Sequence, residues 1–73
     1  MFTRDYTHLL FIESSLLKIL DLAKMELYYY KTVHDFKINE YDIVIVITTL
    51  PYNTSKIEIV QFEDLLLKST LVK

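Results

Sequence analysis

The chain of 73 residues contains no glycine. Average usage of roughly 7 per cent would give a chain of this length about five glycines. Phosphate-binding loops need glycine, because only a backbone without a side chain can bring its N–H groups close to the ligand. The Walker loop and the dinucleotide-binding fingerprint are therefore both excluded.

Cysteine is also absent, which excludes disulfides, thiolate nucleophiles and cysteine-based zinc sites. The 8 basic and 10 acidic residues give a net charge of −2 without a basic cluster, which argues against direct contact with nucleic acid. The N-terminus lacks the apolar region of a signal peptide, and the longest apolar run, residues 43–47, is too short to span a bilayer. We therefore expect a cytoplasmic protein that does not bind membranes.

Size and apolar content together predict a protein–protein interface. The length indicates a single domain, residues 1–73, which buries about 60–65 per cent of its unfolded surface. The hydrophobic fraction of 52% is high for such a small core, and exposed apolar patches usually mark contact sites. We expect the protein to work with a protein partner, as a homodimer or in a heteromeric complex.

The residue pattern predicts an α/β fold, a small single-domain sheet of about four strands with two helices in the order β-α-β-β-β-α. The β-branched run at residues 43–49 is typical of a strand that is buried on both faces at the centre of a sheet. The other expected strands are residues 8–13, 27–35 and 57–62, and the expected helices are residues 15–25 and 63–72.

Two features of this fold stay open at the level of sequence. Residues 7–13 fit a short buried strand, but the near-3.6 apolar spacing from Leu9 to Leu27 also fits one helix of about 20 residues. Residues 50–56, around Pro51, form a loop. Such a short connection favours an antiparallel hairpin, because parallel strands normally need a crossover of a dozen or more residues.

Few side chains offer catalytic chemistry. His8 and His34 lack the spacing of metal ligands, so we interpret them as one exposed and one partly buried histidine, with a phosphoryl-accepting or general-base role for His34 as the alternative. Ser14-Ser15 lacks a Gly-x-Ser-x-Gly context and is interpreted as a helix cap. Glu40 and Asp42 are interpreted as a solvated turn. We expect no enzyme activity, no cofactor and no metal.

Three consecutive tyrosines, residues 28–30, are the most unusual local feature. In a strand, Tyr28 and Tyr30 share one face and Tyr29 lies on the other. We predict that Tyr28 and Tyr30 are interface residues, because tyrosine combines a large contact area with a polar tip. Strand addition at this segment is included in that prediction if the strand lies at a sheet edge. The alternative is that both are core aromatics with hydrated hydroxyl groups.

Residues 40–51 read EYDIVIVITTLP. This phrase resembles the "YD, apolar run, T-x-x-P" segment of EIIB-like domains, and in particular their degenerate copies in Mga-type and PRD-type bacterial transcription regulators. The expected order of strands and helices is similar along most of the chain. The resemblance implies a parallel arrangement of residues 43–49 and 57–62, and a regulatory role in dimerisation or partner docking.

The chain departs from this family at the phosphoacceptor. Active EIIB domains carry a phosphorylated cysteine in a glycine-containing loop after the first strand, where this chain has Glu13-Ser14-Ser15. The resemblance therefore implies a non-catalytic regulatory module.

A second hypothesis fits the short length, the tyrosines and the lack of catalytic groups equally well. It is a stand-alone small protein of a phage or mobile element that binds and inhibits a host or defence protein. A reading frame continuous with an upstream helix-turn-helix region would favour the regulatory module, and a natural stop after Lys73 would favour the inhibitor.

Overall fold

The computed structural model describes residues 1–50, 52 and 54–72 and contains two antiparallel sheets and one short helix. The first sheet has the strand order β1-β2-β3-β7, and the second has the order β4-β5-β6. The strands are β1 (His8–Glu13), β2 (Leu16–Asp21), β3 (Glu26–Thr32), β4 (Asp35–Ile38), β5 (Ile43–Leu50), β6 (Thr54–Gln61) and β7 (Thr70–Leu71), and the helix is α1 (Phe62–Lys68).

The core lies between the two sheets and is closed by α1. The first sheet contributes alternate residues of β2, the second contributes alternate residues of β5, and α1 contributes its two buried side chains, Phe62 and Leu65. Among the residues that the structure describes, no helix has both the length and the apolar character that a membrane crossing requires. The buried hydrophobic residues are Leu10, Leu17, Ile19, Val33, Phe36, Val44, Val46, Phe62 and Leu65.

The predicted α/β fold is wrong, and the main error is the helix expected at residues 15–25. Within that range, Leu16–Asp21 is a strand that pairs antiparallel with β1. Leu17 and Ile19 are fully buried, whereas Lys18 between them faces the other way. Leucines lie on both faces of this segment, so its sequence satisfies the helical period and the strand period alike, and pairing with β1 decides between them.

The strand expected at residues 27–35 is found, but it ends at Thr32 because the chain then changes sheets. The Val33 N–H donates to the Ser15 C=O at 2.9 Å, whereas the next residue, His34, donates its N–H to Ile47 C=O at 2.7 Å. Residues Glu26–Thr32 therefore belong to the first sheet and Asp35–Ile38 to the second. These two hydrogen bonds join the sheets at one corner of the molecule.

The helix expected at residues 63–72 is shorter than predicted. It ends at Lys68, where the Ser69 hydroxyl donates to the Leu65 carbonyl at 2.7 Å and the backbone turns extended. The following residues, Thr70–Leu71, pair with β3 instead. The expected charges of this helix are confirmed, with acidic residues in its first turn and Lys68 in its last. These charges stabilise the helix because they interact favourably with its dipole.

Three expectations for the strands are confirmed. Residues His8–Glu13 form a strand, Ile43–Leu50 is the central strand of its sheet, and it pairs antiparallel with Thr54–Gln61. Pro51, on which the loop prediction rested, lies outside the described residues. The parallel arrangement implied by the EIIB resemblance is not found. Burial of β5 on both faces is also wrong, because Val44 and Val46 are fully buried but Ile45 is 37% exposed.

Tight turns in this chain rely on residues other than glycine with positive φ. Ser14 and Ser15 have φ angles of 52° and 66° and connect the paired residues Glu13 and Leu16. A two-residue hairpin turn with two positive φ angles matches the twist of the strands, so Ser14-Ser15 is a hairpin turn and the predicted helix cap is wrong. Positive φ angles also occur at Tyr6, Met25, Asp42 and Tyr52.

Replacing Met25 by glycine is expected to stabilise the protein. Met25 has a φ of 54° in the turn before β3, and its side chain is exposed. A left-handed conformation costs a residue with a side chain roughly 1–2 kcal/mol, and glycine avoids this cost. We expect Met25→Gly to raise the free energy of unfolding by about 0.5–1 kcal/mol, measured by urea denaturation. Met25→Ala, the control, should not show this gain, and an equal gain in both variants would contradict the explanation.

Candidate functional site

Tyr28 and Tyr30 lie half-buried against the core, on the inner face of β3. The Tyr28 hydroxyl donates to Glu26 Oε2 at 2.9 Å, and the Tyr30 hydroxyl donates to Glu58 Oε2 at 3.4 Å. The hydrogen bond to Glu26 is the main reason that the pKa of Tyr28 is raised. This geometry fits core aromatics with hydrogen-bonded tips, and the role of the two tyrosines as interface residues stays a prediction.

Strand addition cannot occur directly at the first two tyrosines. Tyr28 pairs with Leu71 and Tyr29 pairs with Thr70, so β7 occupies the side of β3 that faces away from β2. Tyr29, on the outer face, is the most exposed of the three. An edge available for a partner must therefore be sought elsewhere.

His8 is the centre of a polar cluster at the N-terminal turn. The expectation of one exposed and one partly buried histidine is confirmed, because His34 is exposed and His8 is half-buried. Nδ1 of His8 lies 2.8 Å from Thr7 Oγ1, and Nε2 lies 3.5 Å from Asp21 Oδ2. The His8 ring also packs against Phe62, with 4.9 Å between the ring centroids.

The hydrogen-bond direction in this cluster does not suit nucleophilic catalysis. The Thr7 hydroxyl donates to Asp5 Oδ1 at 2.7 Å. With its hydrogen directed to that carboxylate, the hydroxyl is not arranged to give its proton to the imidazole, as a nucleophile must. The hydrogen bonds from Thr7 also hold the pKa of Asp5 below its ordinary value. The cluster borders an open cavity of about 380 Å³ between the N-terminal turn and α1. The hydrogen bond from the His8 backbone N–H to Thr3 Oγ1 holds that turn against β1.

Asp42, a partly buried residue at the end of the turn that includes Glu40, also joins three parts of the chain. Its Oδ1 accepts the Arg4 N–H at 2.7 Å, and its carbonyl accepts the Phe62 N–H at 2.8 Å. Glu40, by contrast, is exposed, as expected for a turn residue. In the described part of the chain no group of three or more potential ligands could hold a metal ion.

Glu58 faces inward although it lies on an edge strand. It pairs with Lys31 of β3 and accepts the hydroxyl hydrogen bond of Tyr30. The hydrogen bond from Lys31 is the largest cause that lowers the pKa of Glu58, and the same bond raises the pKa of Lys31. This contact joins β6 to the first sheet and fixes which face of β6 points outward.

The outer face of the second sheet carries an apolar surface that no described strand or helix covers. Its members alternate with the inward residues of β5 and β6, and cross-strand pairs join Ile45 to Ile59 and Ile47 to Ile57. Exposure is highest on β6, at 64% for Ile57 and 72% for Ile59. We call this surface the isoleucine face, and it consists of Ile43, Ile45, Ile47, Ile57 and Ile59.

Next to the isoleucine face, β6 presents a free edge. Its described strand neighbour is β5 alone. The Phe62 N–H bonds the Asp42 carbonyl and so continues the β5–β6 ladder by one pair. Because the N–H and C=O groups of alternate residues point to opposite sides of a strand, those of Ile57 and Ile59 point away from β5. The eight-residue strand β6 therefore offers backbone donors and acceptors beside exposed isoleucines.

Sequence reasoning missed the isoleucine face for a physical reason. In β6, isoleucines alternate with Lys56 and Glu58, a pattern that ordinarily places the isoleucines inside. Instead the isoleucines lie outside, because Glu58 is held inward by Lys31 of another sheet. The available signal was the run of five aliphatic β-branched residues at positions 43–47 of β5, which makes the strand apolar on both faces.

Comparisons with known proteins give no relative for this chain: no protein-family model, no curated protein and no solved structure matches it.

Proposed function

We propose that the protein is a non-catalytic protein-interaction module whose contact surface is the isoleucine face. The observation that carries the proposal is the exposure of Ile57 and Ile59, two aliphatic side chains on a regular strand with no described element covering them. Removing apolar surface from water stabilises an association by about 25 cal/mol per Å². A surface of this kind therefore favours a complex over the free protein.

The composition of the surface supports a protein as the partner. The apolar centre is bordered by polar residues of the same face, with Asp35 and Lys37 on β4 and Gln61 at the end of β6. An apolar centre within a polar rim is the usual anatomy of protein–protein interfaces. The net charge of −2 gives no attraction for nucleic acid.

The arrangement of the polar groups supports a non-catalytic role. Thr7, the hydroxyl nearest to His8, has its hydrogen directed to Asp5 rather than to the imidazole. The regulatory role that the EIIB resemblance implies stays a prediction, and the antiparallel pairing of β5 with β6 does not add to it.

Capture from a lysate of cells that express the protein tests the proposal. Wild type, the double variant Ile45→Thr/Ile59→Thr and the control Leu67→Gln are immobilised side by side. Threonine keeps the β-branched shape of isoleucine and removes apolar area, whereas Leu67 is an exposed leucine of α1 outside the face (84% exposed). A bound protein should be retained by wild type and the control and lost by the double variant.

The captured protein is then purified and titrated calorimetrically against all three chains. We expect the double variant to bind about tenfold or more weakly, because two exposed anchors lose apolar contact area. Equal affinity for the double variant would contradict the proposal, as would the absence of any selectively captured protein.

A further inference from the structure

We propose that β6 pairs edge to edge with β6 of a second copy of this chain, around a two-fold axis at Ile57. The inference deepens the proposed function, since it names one partner of the module and rests on the same sheet being a contact region. It is carried by the free edge of β6 together with the charge pattern along that edge.

The backbone of β6 is suited to strand addition. The N–H and C=O groups of Ile57 and Ile59 point away from β5, toward a side where the described residues provide no strand. A long unpaired edge is a template for pairing with another chain, and a bulge is one of the features that prevent it. The β5–β6 register runs without a shift along all eight pairs, so no bulge interrupts the edge.

The charges on β6 select a second copy as the occupant and also fix the register. With the axis at Ile57, Lys56 of each copy lies opposite Glu58 of the other on the inner face, where it would add a second cation to the pair that Glu58 makes with Lys31 of its own chain. The alignment therefore gives two attractive cross-strand contacts. An axis at Glu58 would place the two Glu58 carboxylates opposite each other, and an axis at Lys56 would oppose the two lysines. Like charges directly opposite are destabilising, so neighbouring registers are disfavoured and β6 is complementary to itself in one alignment.

The same alignment agrees with the direction of the backbone groups. Ile57 on the axis would exchange two hydrogen bonds with Ile57 of the second copy, and Ile59 would pair with Ser55 on both sides. The two three-stranded sheets would then form one continuous sheet of six strands. A two-fold axis perpendicular to the sheet keeps both isoleucine faces on the same side, so the dimer offers a further protein one surface of doubled width.

Sedimentation equilibrium tests the dimer and its charges. Wild type should dimerise, and Lys56→Glu should weaken dimerisation about tenfold or more, because it places Glu opposite Glu58 twice. Lys37→Glu is the matched control, since it makes the same charge change at an exposed position on β4 of the same sheet, and it should leave dimerisation unchanged. A wild type that stays monomeric at high concentration would overturn the inference, as would equal dimerisation of Lys56→Glu.

Disulfide formation tests the register without disturbing the charges. The chain has no cysteine, so one introduced thiol can pair only with its counterpart in a second copy. In the proposed alignment the Cα atoms at position 57 lie about 5.5 Å apart, within disulfide range. Those at position 59 are offset by four residues, about 14 Å along the strands. Ile57→Cys should therefore cross-link under mild oxidation and Ile59→Cys should not, and the reverse result would overturn the alignment.

The two proposals can fail separately. If cross-linking at position 57 fails while Ile45→Thr/Ile59→Thr still loses a captured protein, edge pairing is wrong and the isoleucine face remains the contact surface. If cross-linking succeeds and no further protein is captured, the edge-paired dimer stands and the proposed docking of a different protein on the face fails.

Discussion

Replacing Val46 by aspartate is expected to unfold the protein. Val46 is fully buried at the centre of β5, and its cross-strand neighbour on the inner face is Glu58. A buried carboxylate without a partner costs several kcal/mol, and a second carboxylate beside it adds repulsion. A domain of this size has a total stability of only about 4–10 kcal/mol. Circular dichroism of Val46→Asp should show no cooperative thermal transition.

The control for this experiment is the adjacent residue on the same strand. Ile45 points outward and belongs to the isoleucine face. Ile45→Asp makes a similar chemical change at an exposed position, so this variant should stay folded. A Val46→Asp variant that melts at the same temperature as Ile45→Asp would show that the faces of β5 are assigned incorrectly.

Truncating Leu65 to alanine is expected to be the next most damaging change. Leu65 is the fully buried leucine of α1, a helix of 7 residues. Such a short helix is not stable by itself and depends on packing. Deleting a buried leucine side chain to alanine typically costs about 2–5 kcal/mol, which includes the cavity left behind. The urea midpoint of Leu65→Ala should fall accordingly.

Leu67, on the same helix, supplies the matched control. Its side chain is almost fully exposed, and surface substitutions usually change stability by less than about 0.5 kcal/mol. Leu67→Ala should therefore unfold close to wild type. Equal losses for the two leucines would mean that α1 does not pack through Leu65.

Sequence patterns predict a strand correctly where its residues disfavour a helix. The β-branched run of β5 disfavours a helix, so Ile43–Leu50 and its hairpin with β6 could be anticipated. The start of α1 is signalled by acidic residues that suit a helix N-terminus. Leu16–Asp21 carries no such preference, because leucine is a good helix former and its leucines lie on both faces.

The hairpin turn that precedes β2 was not predicted for a related reason. Two-residue hairpin turns are usually recognised from Asn-Gly or Asp-Gly, whereas here Ser14-Ser15 makes the turn with two left-handed residues. The same residues are typical helix caps. Local composition thus favoured a helix start at the point where the chain reverses and pairs β2 with β1.

The candidate site depends on contacts between distant parts of the chain. Whether Val44 and Val46 or the neighbouring isoleucines face the core is not determined by composition, since all are aliphatic. The choice follows from the first sheet, where Lys31 holds Glu58 inward, and from Asp42, which ties β5 to α1. Such contacts between distant residues cannot be predicted from sequence periodicity.

The absence of glycine affects the unfolded chain as well as the turns of the folded protein. Glycine samples more backbone conformations than any other residue, so an unfolded chain without it has less entropy to lose on folding. Each replacement of glycine by alanine, where the native backbone permits it, is worth about 0.4–1 kcal/mol through this effect. Here the stabilisation arises from the reduced entropy of the whole unfolded chain. The conformational cost falls on a few left-handed turn residues such as Ser14 and Ser15. The chain therefore loses less backbone entropy when it folds, and the unfavourable left-handed conformations are confined to those few turn residues.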